Sequence, residues 1–411
     1  MKSQAIPAAL FVRNRSRLAE LMSNGSLALL RSGVLQLRNG DQYYPFRQRS
    51  DFFYLTGINQ EESFLILCPD HPDSDLREIL FIKRATLKSD LWSGPSMKPE
   101  EAKTLSGIGN IRWLDEKDSY LQLLIQDIEL VYTDHEIGMA QYHPKAQLAS
   151  LLKRLRMIKQ PEEIEEIRKA ISITGSAFLR VLNQMRPGIY EYQVEAEIIG
   201  EFIGRGAEGH AFQPIMASGK NALVLHYTEN RALCREGELL LMDFGAEFNH
   251  YAADCSRTIP VNGRFTSRQR ELYDAVLRVF RQARGLMVPG TLMSDFHKAV
   301  GQLWEEEHMA LGLYSLKDVK DNAGGEPLWK NFFMHGTSHS MGLDVHDPFD
   351  RSIPFAPGMV LSCEPAIYIP EEETGIRLEN DILITEKGPI DLMQDIPMEA
   401  DEIEELMNAS H

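Results

Sequence analysis

No stretch of this sequence comes near the roughly 20 consecutive apolar residues that a membrane-crossing helix requires, so no membrane partner is expected. Cysteine is scarce. Its four copies, Cys68, Cys234, Cys255 and Cys363, show no CxxC spacing, which argues against a disulfide framework and for reduced thiols in the cytoplasm. Positive charge is in deficit: 43 Lys and Arg face 60 Asp and Glu, for a formal net charge of −17. Neutralising a phosphate backbone needs a basic surface, so this balance argues against nucleic acid, whereas an acidic site lining would suit cations. The opening residues lack the long apolar core and small-residue cleavage site of a signal peptide and are expected to belong to the folded protein.

What is present is an ordinary globular mixture, 43% hydrophobic and 25% charged over 411 residues. Domains of about 100–200 residues make two the expectation. Residues 1–155 mix short helices and strands. SLALLRSGVL, SFLILC and REILFIKR are apolar runs bounded by turn residues and read as buried strands. A helix is expected over Asn14–Ser23, and Pro45 keeps the aromatic-rich Tyr43–Tyr54 segment out of the middle of a sheet. Near residue 155 the character changes. Pro161 and the acidic residues after it open a long helix whose stripe Ile164, Ile167, Ile171, Thr174, Phe178, Val181 and Leu182 is expected to be buried. The expected domains are therefore 1–155 and 156–411. Within the second, Met185-Arg186-Pro187-Gly188 and Met287-Val288-Pro289-Gly290 each lie between two helical segments and ahead of glycine-punctuated strands. Two helix–helix–sheet halves predict a duplicated α+β domain with its site between them.

Acidic residues recur where apolar runs end. Leu239–Met242 is a buried strand that meets Asp243; turn residues follow at Gly245–Asn249, and a second strand carries Asp254 at a spacing that suits facing positions of a hairpin. One buried aspartate could cap a turn, but two on adjacent strands repel each other, and a shared cation relieves them. His335, His339 and His346 crowd one glycine-broken segment, where a loop or bulged strand is expected. A lone histidine there could be structural, whereas a cluster beside buried acids points to metal binding or proton transfer. Glu364 ends a further apolar strand. Strand alternation puts Arg377, Glu379 and Asp381 on one face, so Glu379 could be a ligand, a partner of Arg377, or both. Asp243, Asp254, His339, Glu364 and Glu379 exceed a closed tetrahedral zinc site and fit two divalent ions about 3.5–4 Å apart. The oxygen-rich set suits Mn²⁺, and Zn²⁺ or Co²⁺ could occupy it. Cys255 and Cys363 alternate away from the neighbouring acids and read as packing residues. The acidic stretch Asp395–Glu405 is expected to form a solvated or docking helix.

LHYTENRALCREGELLLMDFGAEFNHYAADCSRTIPVNGRF, HGTSHSMGLDVHD, LSCEPAIYIP and GIRLENDILIT resemble the aminopeptidase P branch of the pita-bread metallopeptidases. YYPFRQRSDFFYLTGI and LWSGPS resemble that branch's creatinase-like N-terminal domain, so the resemblance spans nearly the whole chain. It implies an α+β fold: a pita-bread domain with pseudo-twofold halves, preceded by a creatinase-like mixed α/β domain. The implied activity is release of the N-terminal residue from peptides with proline second, using a hydroxide bridging two metals. Asp243 would bind one metal, Asp254 would bridge both, and His339, Glu364 and Glu379 would complete the set, with Glu364 also moving protons. His226 and His346 would hold the scissile carbonyl and its tetrahedral intermediate, His335 would line the proline side, and Arg377 would support Glu379. Asp51 would help bind the free amine. Trp92 would reach a neighbouring subunit's site in a homodimer or homotetramer. Phe212 stands where some relatives carry a tyrosine. A prolidase shares the metal set and takes only Xaa-Pro dipeptides. Methionine aminopeptidase lacks so large an N-terminal domain, creatinase lacks the ligands, and an inert pita-bread binding protein would have lost some of them.

Overall fold

The computed structural model describes residues 5–84, 86, 90–92, 94–133 and 145–409. The chain divides into two compact units, one over Gln4–Arg156 and one over Met157–His411. Among the described residues no helix is long and apolar enough to cross a membrane. All four cysteines are free and buried.

The first unit is built on a six-stranded mixed sheet. Ser26–Arg31, Phe64–Leu67 and Glu78–Ile82 pair antiparallel at its centre, and Asn110–Trp113 and Leu130–Tyr132 add parallel on either side. These central strands are buried on both faces, which is why they read as unbroken apolar runs and not as alternating ones. The run SLALLRSGVL leaves the sheet at Arg31, where Gly33 instead donates its amide to Gln48, and Val34 is exposed. The first helix covers Ala8–Leu21 and so starts well before Asn14. Asn14 and Arg15 look like surface residues in the sequence, yet both are buried. Asn14 donates to the Tyr54 carbonyl and Arg15 to the Leu55 and Ser106 carbonyls, satisfying the exposed ends of neighbouring helices.

The second unit repeats one arrangement. The helices Pro161–Gln184 and Glu191–Gly204 form one pair, and Ser267–Leu286 and Met293–Ala310 the other. Each pair turns on the glycine of its Met-x-Pro-Gly: Gly188 and Gly290 both have φ +92°, and each donates its amide to a carbonyl of a later segment, Cys234 or Phe355. Each pair is accompanied by a three-stranded antiparallel sheet. In the first, Leu239–Phe244 lies between Ile215–Ser218 and Cys255–Pro260; in the second, Asn380–Thr385 lies between Val360–Cys363 and Gly388–Asp391. A single bridge, Ser256 to Glu379, joins the two sheets. The fold is α+β, with pseudo-twofold halves in this unit.

Several local expectations shift. Ile164 is only half-buried, whereas Glu163 and Glu166 are buried and accept the Tyr251 hydroxyl and the Asn249 side-chain amide. Gly245–Asn249 is not simply a turn: Ala246–Phe248 is a short strand that pairs back with Tyr251–Ala252. The reversal is Asn249-His250, both at positive φ as a two-residue type I′ hairpin needs. Gly245 itself is demanded by close approach, since a Cβ there would lie 1.7 Å from the Ala253 carbonyl oxygen. The acidic tail docks: the helix Ala400–Asn408 buries Ala400, Ile403 and Met407 against the Pro161–Gln184 and Ser267–Leu286 helices.

Candidate metal centre

The acids gather where the two half-sheets meet. Asp243 is the next-to-last residue of its strand and pairs with Ser256, so Asp254 stands diagonal to Asp243 and not opposite it. Glu379 reaches the same place from the other half. It does not lie inside a continuous strand: Thr374–Arg377 ends, Asn380–Thr385 begins, and Glu379 bridges to Ser256 in the gap. Ser256 is thus flanked by both halves, and its hydroxyl donates to Glu379 Oε2 at 2.7 Å. Glu364 follows directly on the Val360–Cys363 strand. The loop with His339 runs along that strand's free edge, held by the Ser362 amide to the His339 carbonyl and the Glu364 amide to Thr337. Fully buried Cys255 and Cys363 pack behind the acids they adjoin.

Asp254, His339 and Glu379 each offer a ligand atom within 4.8 Å of the others. His339 Nε2 lies 3.2 Å from Asp254 Oδ2, 3.7 Å from Glu364 Oε1 and 3.9 Å from Glu379 Oε1. Its Nδ1 is 3.2 Å from the Ser340 carbonyl, which can only accept. A neutral ring must therefore carry its proton on Nδ1 and aim the Nε2 lone pair at three carboxylates, an arrangement that repels unless a cation or a shared proton sits among them. Asp243 completes the picture. Its Oδ2 takes the Arg377 guanidinium at 2.7 Å, while its Oδ1 is buried with no hydrogen-bond partner. Burial and the crowding of like charge push the Asp254 and Glu379 carboxyls well above the usual carboxylate range; Glu364 is raised too, chiefly by burial. A divalent ion would reverse each of these penalties, so the donors present fit a hard metal centre.

Arg377 does not touch Glu379 directly. Its Nη2 pairs with Asp243, its Nη1 donates to the Tyr368 hydroxyl, and its Nε donates to Ser256 Oγ, through which it reaches Glu379. Sequence reasoning missed Asp381 as a site residue. It is fully buried, accepts the Asp254 amide at 3.3 Å and leaves Oδ1 unpartnered.

A family model for "Metallopeptidase family M24" matches residues 165–386, and one for "Aminopeptidase P, N-terminal domain" matches residues 11–132. The Xaa-Pro aminopeptidase of Escherichia coli is 36% identical, with 97% of this chain and 98% of that protein covered. The human Xaa-Pro aminopeptidase 3 is 33% identical over 90% of this chain and 78% of its own length. The chain belongs to the aminopeptidase P family. Zn-substituted E. coli aminopeptidase P in complex with product superimposes with a TM-score of 0.91 at 35% identity, covering 99% of this chain and 100% of that one. The same enzyme with the inhibitor Pro-Leu gives 0.90 at 34% identity, covering 99% of each. The protein is a metal-dependent aminopeptidase with the pita-bread fold, and these matches do not favour a dipeptidase or an inert scaffold.

The aminopeptidase's acids open onto a cavity of about 740 Å³ whose walls include Phe212, His226, His335 and His346. His335 is held from behind. Its Nδ1 lies 2.8 Å from the Gly336 carbonyl and 3.5 Å from Glu364 Oε2, and its Nε2 is 2.9 Å from the Tyr368 hydroxyl, which itself receives Arg377. Burial, with Arg377 nearby, pushes its pKa down to about 3, so the ring is neutral, and with both nitrogens engaged by protein it offers the pocket an aromatic surface. His346 packs edge-on to His339, ring centres 4.3 Å apart, and burial lowers its pKa as well. Sequence reasoning also missed Lys159. Its ammonium is buried 3.3 Å from Asp347 Oδ2 and 3.4 Å from Ser340 Oγ, next to His346 and His339 respectively. A lysine just ahead of a long helix carries no sequence signal of such a contact. In the first unit, Asp51 accepts from Arg156 at 2.7 Å, and the Trp92 side chain is exposed.

Proposed function

We propose that this aminopeptidase releases the N-terminal residue from peptides whose second residue is proline, using two divalent ions held by Asp243, Asp254, His339, Glu364 and Glu379. The observation that carries the proposal is that the His339 Nε2 lone pair meets the raised carboxyls of Asp254, Glu364 and Glu379, in a cavity also lined by Asp243, whose Oδ1 is buried without a partner. Donors that are mostly carboxylate oxygens favour Mn²⁺ over softer ions. When bound, such ions bring a water into its nucleophilic form near neutral pH and polarise the scissile carbonyl.

The remaining work falls to the protein's own groups. His226 and His346, on the cavity wall, would donate to the carbonyl oxygen as it gains charge. Glu364, which lines the cavity beside the other acids, would take a proton and return it to the leaving amine. Arg377 orients Asp243 directly and Glu379 through Ser256, so one buried cation aligns acids from both halves. An Xaa-Pro bond has no N–H to satisfy, which suits a wall whose polar atoms are already engaged. His335 with Tyr368 behind it is such a wall, and the proline ring would pack there. Phe212 would give that pocket an apolar edge where some relatives place a hydroxyl. Asp51 would meet the free amine and Trp92 a neighbouring subunit in a homodimer or homotetramer. Four buried, unpaired thiols suit a reducing compartment, and the cytoplasm is the proposed location.

Chelator-stripped protein should cleave an Xaa-Pro-Xaa tripeptide only once Mn²⁺ is restored, and Asp254→Ala should abolish the reaction. Cleavage of Xaa-Pro dipeptides alone would move the reading to a prolidase; cleavage of neither would refute it.

A further inference from the structure

Glu191, a carboxylate outside the pocket, grips one of the pocket's walls. It is fully buried at the first turn of the Glu191–Gly204 helix. Its Oε1 accepts the Ser218 amide at 2.8 Å, the Ser218 hydroxyl at 2.9 Å and Asn221 Nδ2 at 2.9 Å. Its Oε2 accepts the Tyr227 hydroxyl at 2.9 Å and the Ala232 amide at 2.7 Å. So many donors, with the positive end of its own helix, offset the cost of burying the charge.

The gathered donors bracket His226. The Val224 amide bonds the Asn221 carbonyl at 3.0 Å, and the Tyr227 amide bonds the Val224 carbonyl at 3.2 Å. His226 therefore rides in a turn that hangs from Asn221 on one side and Tyr227 on the other, and one carboxylate holds both. Leu225, His226 and Thr228 of this segment line the catalytic cavity, whereas Glu191 does not. We infer that Glu191 is a positioning residue for His226, fixing through Asn221 and Tyr227 where that imidazole meets the substrate carbonyl. This rests on the role proposed above for His226 and deepens it.

A donor aimed at developing charge depends on placement, and a displacement of about 1 Å costs on the order of 10²-fold in rate. Gln at position 191 keeps the shape but turns one acceptor into an amide NH₂, which in either orientation faces at least two donors. The experiment measures kcat and KM of the Mn²⁺-loaded full chain on an Xaa-Pro-Xaa tripeptide for Glu191→Gln, His226→Ala and the double variant. Glu191→Gln should lower kcat by roughly 10- to 100-fold with KM and metal content nearly unchanged. In the His226→Ala background the same change should matter by less than about twofold, because the group it acts through is gone. An equal loss in both backgrounds, or no loss at all, overturns the positioning role while leaving His226 in place. If His226→Ala alone leaves kcat unchanged, the role of His226 fails and that of Glu191 with it. Should Glu191→Gln not fold, Tyr227→Phe, which removes one hydroxyl, enters the same cycle with the same expected non-additivity and the same refutation.

Discussion

Replacing Lys159 by methionine isolates what the buried ion pair contributes to the histidine loop. Lys159 and Asp347 side chains are each 1% exposed and 3.3 Å apart, so the pair has almost no water to fall back on. Methionine fills nearly the same volume without the charge and leaves the Asp347 carboxylate buried without the Lys159 ammonium. Breaking a pair of this kind by removing one partner costs about 3–5 kcal/mol, because the survivor stays buried and unpaired. For a unit of this size that corresponds to a fall in Tm of roughly 6–20 °C. The space around the pair is tight: a Cβ added at Gly342 would meet Lys159 Cε at 2.9 Å and Asp347 Oδ2 at 3.0 Å. Adding Asp347→Asn should recover much of the loss, since asparagine removes the stranded charge yet keeps an oxygen for the Asp344 amide that Asp347 now accepts. Because Ser340 and Asp347 adjoin His339 and His346, the single variant should also hold Mn²⁺ more weakly. Thermal melting of the single and double variants decides the matter. A loss below about 1 kcal/mol in Lys159→Met, or a double variant no more stable than the single one, would refute the claim that the pair is a dry, mutually dependent unit.

Two further perturbations act elsewhere. Gly245→Ala would drive a Cβ to 1.7 Å from the Ala253 carbonyl oxygen, between Asp243 and Asp254; it should lose more than about 3 kcal/mol and most of the bound metal, read by melting and metal analysis, and a wild-type melt would contradict it. Burial pushes the Glu163 carboxyl up from 4.5 to about 7. The folded state therefore holds that proton more tightly than the unfolded chain. The resulting stability, about 3 kcal/mol at most, is complete below the unfolded value and lost as pH rises through about 7. Tm should fall more steeply between pH 5 and 8 in the parent than in Glu163→Gln, and parallel curves would sink the argument.

Much of the architecture can be read from the chain because apolar runs are unambiguous when both faces of a sheet are covered, as in Phe64–Leu67 and Glu78–Ile82. Acids that interrupt such runs stand out for the same reason, and Asp243 and Glu364 are visible as charges no core would accept alone. Less visible are polar residues that go inside to meet backbone groups. Asn14 and Arg15 lie buried inside a helix that begins at Ala8, and Glu163 and Glu166 are buried beside an Ile164 that is only half-buried. Periodicity counts side chains but not the carbonyls and hydroxyls waiting for them. Nor could spacing alone give the register: that Asp243 faces Ser256 and not Asp254 follows from where the chain reverses, at Asn249-His250. The route from Arg377 to Glu379 by way of Ser256 likewise needs three segments in place at once.

The seam at Ser256 and Glu379 also bears on the order of events during synthesis. Asp243 and Asp254 lie in the earlier half, while His339, Glu364 and Glu379 lie in the later one. A nascent chain that has emerged only as far as Pro260 carries two of the candidate donors and no imidazole among them, too few to retain an ion. With this ligand set, metal capture would wait until the later strands have left the ribosome and closed against the first, so a held ion would report that the two halves have joined.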